Sequence, residues 1–200
     1  MSIKNLQPRF FALLLLILVA GALRVTAAGQ ITPFSNFSPV GAMALFGGAY
    51  FADKWKSYVF PLLTLFLGDV IMMQTVYKAY GNGSLLFEGW IWVYLGFAAM
   101  VLIGQLVIRK VRVTNILIAC IAAAVAHWLL ADFGTWMSST GFDVTTGLPY
   151  TKDWQGLMKC YANGLPFLKN TLLSNVVYCG IFFGLFELMQ RNIPALAYEK

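Results

Sequence analysis

Charge is scarce in this chain: of 200 residues, 14 are Lys or Arg and 8 are Asp or Glu, 11% in all, against about 25% in soluble domains. So little charge excludes an ordinary water-soluble globule. Histidine occurs once and cysteine three times, with no CxxC pair, which excludes a structural zinc framework and a disulfide scaffold. Cys120 and Cys179 fall inside apolar runs and Cys160 in a more polar stretch, the pattern of cysteine used as a small hydrophobe. GxSxG, HExxH and carboxylate pairs at metal-ligand spacing are all missing, so no enzyme is indicated and no catalytic residue, metal ligand or cofactor is assigned. No linker, low-complexity tract or clear repeat divides the sequence.

What the chain has instead is apolar length: 60% of it is hydrophobic and its mean hydropathy is +0.73. Six apolar segments stand out, at about 10–28, 38–52, 57–77, 89–108, 113–133 and 171–190. They predict an all-α integral membrane protein, a six-helix transmembrane bundle forming a single domain over 1–200, with one long outer loop at 134–170. A signal peptide is the alternative for the first segment, given its basic start, its apolar core before Arg24 and the small residues Ala22 and Ala27.

Basic residues orient the bundle. With the N-terminus in the cytoplasm, the inner side carries Lys4, Arg9, Lys54, Lys56, Arg109, Lys110, Arg112, Arg191 and Lys200, against Arg24, Lys78, Lys152, Lys159 and Lys169 outside. Nine against five puts both termini in the cytoplasm. It also accounts for the formal charge of +6 without a nucleic-acid partner, and nothing in the chain resembles a nucleic-acid module.

One carboxylate, Asp69, interrupts PLLTLFLGDVIMMQTVY (61–77). It lies about 12 Å below the outer end of its helix, where a charge costs about 2.5–3.5 kcal/mol on insertion scales. Asp69 is therefore expected to face inward and to be either neutral at pH 7 or paired, with Arg24 as the partner. His127, Asp132, Asn175 and Gln74 also fall in the outer halves of their helices, while the inner halves offer little beyond Glu187 and Gln105. This asymmetry predicts a site open to the outside. Its charged anchors are Arg24 and Asp69, its hydrogen-bonding groups Asn36, His127 and Asn175, and its apolar walls or lid Trp128, Trp136 and Tyr161. Each also has a plain structural reading: Arg24 and Asp132 snorkelling to the interface, Asp69 as a satisfied packing carboxylate, His127 as a core or interfacial residue.

Small residues recur three and four apart through SPVGAMALFGGAYFA (38–52), which marks a closely packed helix. The outer loop contains DWQGLMKCYANGLPFLKN (153–170), which opens on a good cap residue and sets Trp154, Leu157, Met158 and Tyr161 on one face. It predicts a short helix lying over the bundle mouth.

The runs NFSPVGAMALFGGAYF, PLLTLFLGDV and GLMKCYANGLPFLKNTLLSNVVYCGIFFGLFEL resemble a family of uncharacterised bacterial six-helix membrane proteins. That family is similar in turn to the substrate-binding S components of energy-coupling-factor vitamin transporters. The resemblance implies cytoplasmic termini, an outward-facing substrate site roofed by the outer loops, and a membrane coupling subunit with ATPases as partner. The first helix departs from the pattern, since Ala12, Ala20, Gly21 and Ala22 do not form the four-residue repeat through which S components couple. The expectation is an inner-membrane protein in the lipid bilayer that binds or takes up an unknown small molecule. The alternative is a structural membrane protein of envelope assembly or cell-shape control. Asp69→Asn separates them, because a transporter keeps its fold and loses its ligand.

Overall fold

The computed structural model describes residues 8–26, 37–78, 84–138, 141–143, 145–193 and 196. Among them, six helices follow in chain order: α1 (Pro8–Thr26), α2 (Val40–Tyr50), α3 (Lys54–Gln74), α4 (Trp90–Val107), α5 (Val113–Ser138) and α6 (Trp154–Asn192). All except α2 are long and apolar enough to cross a membrane. Successive helices alternate in direction. One end of the bundle, here the basic end, carries the start of α1, Lys54, Lys56, Arg109, Lys110 and Arg112. The other, the loop end, carries residues 141–143 and 145–153.

The centre of the bundle is α2, on which the other five helices all pack. It has 11 residues, about 16 Å of helix, roughly half of a ~30 Å hydrocarbon core. Every residue of it except Ala49 is buried, as expected of a helix that is small and apolar all round. Close approach is possible because glycine meets backbone. A Cβ on Gly104 of α4 would stand 2.6 Å from Leu45 O, and one on Gly48 would run into Val101 O. Toward the basic end the core is aromatic, with Phe46 edge-on to Phe183 at 5.3 Å and to Phe186 at 5.6 Å. There Tyr50 donates its hydroxyl to Glu187 at 2.6 Å.

The expected sixth helix (171–190) and long outer loop (134–170) need correction. Helix α5 continues to Ser138, and α6 begins at Trp154 and runs for 39 residues, about 58 Å. Lys159, Asn163, Pro166, Lys169 and Asn170 give the stretch the polarity of a loop, yet one internal proline forfeits a single helical bond, and packing against α5 carries the helix through it. Asp153 caps α6, its Oδ1 accepting the Gly156 N–H at 2.7 Å. The helix predicted to lie over the mouth is thus the first part of α6, continuous with the span. The short link left between α5 and α6 is tied down at both sides. Lys152 Nζ binds the carbonyls of Trp136 and Met137, the last turn of α5, where a cation meets unpaired carbonyls.

Candidate functional site

Helix register brings polar side chains to the start of α2. Gly47 faces Pro61 of α3 and Ile17 of α1, both antiparallel to α2, so seven residues back to Val40 correspond to seven forward, at Gly68 and Arg24. Leu45 lies on Gly104 of the parallel α4, which sets Val40 beside Ala99. Gly41 abuts Asn175 of α6 and Met100 of α4. His127 of α5 joins this level through Phe97, ring centroids 4.6 Å apart. The N-terminus of α2 is thus a socket inside the bundle, ringed by all five long helices.

Asp69 is the acidic member of that ring, and it is 1% exposed. The buried residues of α3 are Ser57, Pro61, Thr64, Leu65, Gly68, Asp69, Met72 and Met73, spaced three and four apart, so helical periodicity alone turns Asp69 inward. Arg24 Nη2 meets Oδ1 at 2.6 Å, the expected partner reaching in from α1. Tyr94 of α4 donates its hydroxyl to Oδ2 at 2.9 Å. Both oxygens are satisfied, and α1, α3 and α4 are joined through one carboxylate. Tyr94 escapes sequence reading because WIWVY at the start of α4 looks like an interfacial aromatic belt.

Other polar atoms here are unsatisfied. Among the described residues, His127 Nε2, Trp128 Nε1, Asp132 Oδ2 and Asn175 Oδ1 are buried without a hydrogen-bond partner, a costly condition away from water. They form two groups. His127 and Asn175 belong to the socket. Trp128 Nε1 and Asp132 Oδ2 converge instead on Gly164 of α6, where a Cβ would stand 2.7 Å from the indole nitrogen and collide with the carboxylate.

Three predicted wall or lid residues follow this second group along the α5–α6 seam. Trp128 packs on Tyr161 at 5.1 Å, and the Tyr161 hydroxyl donates to Leu129 O at 3.0 Å. Trp136 donates its indole N–H to Thr151 O at 2.8 Å. These bonds hold α5 to α6 and to the link between them, and none reaches Asp69. Asn36 and the loop before it lie outside the described residues.

A residue not singled out from sequence, Asp143, organises the loop end. Its Oδ1 accepts the Thr145 hydroxyl at 2.7 Å and the Thr145 N–H at 3.0 Å, and Lys159 Nζ lies 3.5 Å from Oδ2. These bonds hold its carboxyl down at about 2, led by the Thr145 hydroxyl. Asn163 of α6 donates to Tyr150 Oη at 2.9 Å, so the link is stitched to α6 beside the socket's end of the bundle.

Two comparisons are empty: no curated protein and no solved structure matches the chain. A family match covers nearly its whole length, and on residues 4–196 the chain belongs to the Family of unknown function (DUF6580).

Proposed function

We propose that this chain binds a small molecule in the membrane and takes it up, with the socket at the start of α2 as its site. One observation carries the reading: polar side chains from five helices, Asp69 and Asn175 of them buried, gather around the level of the N-terminus of a half-length helix, and two of them, His127 and Asn175, have buried polar atoms without partners among the described residues. Intramembrane polar groups cost too much to be idle, and helix ends in mid-membrane are where transporters hold substrates. The reading sets the chain in the bacterial inner membrane, with the loop end outside and both termini in the cytoplasm, on the strength of its basic residues. The likeness to S components of energy-coupling-factor transporters fits it, and α1 without the coupling repeat argues for action alone or with a different partner.

Native mass spectrometry of the purified protein is expected to find a co-purifying small molecule, lost in a folded Asp69→Asn variant. Equal empty spectra from both, together with no uptake in vesicles, would sink the proposal. The saturated Arg24–Asp69–Tyr94 cluster favours a second reading, a structural membrane protein whose polar groups only join helices. In that case Asp69→Asn lowers stability or assembly and leaves no binding to lose.

A further inference from the structure

The start of α2 presents backbone donors that lack acceptors among the described residues. Pro39 supplies no side-chain cap, and the Val40 N–H reaches Ser38 Oγ only at 3.4 Å. The first backbone bond of the helix runs from the Met43 N–H to Pro39 O at 2.9 Å. The N–H groups of Gly41 and Ala42, both buried, therefore have no acceptor among the described residues. In a bilayer no water is at hand to take their place, and a helix N-terminus in this condition attracts an acceptor atom.

Beside these donors stands an acceptor that lacks a donor. Asn175 is fully buried. Its Nδ2 donates to Cys120 O at 3.4 Å, while Oδ1 has no partner among the described residues. Oδ1 points at Gly41 so closely that a Cβ there would collide with it. Donors and acceptor are thus adjacent, from two helices, in the same enclosed place.

We infer that the start of α2 is a subsite for a neutral amide-type edge, a carbonyl next to an N–H, as in a carboxamide, lactam or urea. This rests on the small-molecule reading above and names the chemistry that the molecule presents. The carbonyl accepts from Gly41 and Ala42, and the N–H donates to Asn175 Oδ1. Charge decides against a carboxylate. Arg24, the cation of this ring, is already bonded to Asp69, and the helix end alone supplies about half a charge. A carboxylate would also set its lone pairs against Asn175 Oδ1.

Val40–Gly41 is the one Val–Gly pair in the sequence, so full-length protein labelled with 1-13C-valine and 15N-glycine gives a single correlated peptide signal, that of the Gly41 N–H. In detergent solution, acetamide is expected to shift this signal saturably. N,N-dimethylacetamide, which lacks the N–H, and acetate, which is charged, should each bind at least tenfold more weakly. Asn175→Leu should bring acetamide down to the level of dimethylacetamide. Where that variant does not fold, the three probes on the unaltered protein decide alone. Acetate binding as tightly as acetamide, or no saturable shift from any probe, overturns the inference. A co-purifying molecule together with a silent Gly41 signal removes the subsite and leaves the uptake reading standing. A responsive signal in a protein that carries and transports nothing does the opposite.

Discussion

At the residue scale, the Arg24–Asp69 pair shows how helical geometry and lipid together fix a contact. An ionised carboxylate in the apolar run of α3 has to turn inward, and Arg24 is the one basic residue that the sequence places at the matching depth of a neighbouring span, so the sequence alone is enough to name the partner. Tyr94 cannot be named in that way, since nothing in WIWVY distinguishes a hydroxyl that binds a carboxylate from one that sits among lipid headgroups. Asp143 is missed for a related reason: in a polar link, one more carboxylate carries no signal. Removing one charge of the pair strands the other, so Arg24→Met or Asp69→Leu alone should cost about 3–5 kcal/mol. The double variant should recover much of that in denaturant titrations in detergent. Costs that simply add in the double variant would mean the two charges do not act on each other.

At the scale of elements, sequence periodicity locates every span but misjudges how far α6 extends. Hydropathy sees α6 only where it is apolar, and the polar, proline-containing stretch before Thr171 is helical because Asp153 caps it and α5 supports it. The small residues of α2 are readable as packing, and their partners can be tested. Gly104→Ala drives a methyl into Leu45 O, a backbone atom that cannot step aside, and should cost about 1–3 kcal/mol. Gly184→Ala on the outer face of α6, where nothing lies within 4 Å, should be neutral or stabilising by up to about 1 kcal/mol through helix propensity. Equal thermal shifts for the two variants would show that α2 and α4 are not in backbone contact. The α5–α6 link gives a pH test. Asp143 has a folded value of about 2, below the ~3.9 of an unfolded aspartate. Its contribution is therefore complete above about pH 4 and is lost as the pH falls through about 2. A carboxyl carbon titration by NMR should give Asp143 a midpoint near the lower value, and an ordinary midpoint would mean the Thr145 bonds are absent in solution.

For the molecule as a whole, the proposed orientation is the statement on which every depth depends. In a background without Cys120, Cys160 and Cys179, a membrane-impermeant thiol reagent applied to cells should label Leu148→Cys at the loop end and spare Lys110→Cys at the basic end. The opposite pattern inverts the bundle and closes the socket to the outside. The brevity of α2 has a further consequence, for how the chain is made. Eleven residues are too few for the insertion machinery to accept as a span, so α2 cannot be committed to the membrane when it leaves the ribosome. Its walls include α4 and α6, which are synthesised later, α6 last of all. The second helix of the chain is therefore seated only after these later helices, and the socket at its start does not exist until α6 has been made.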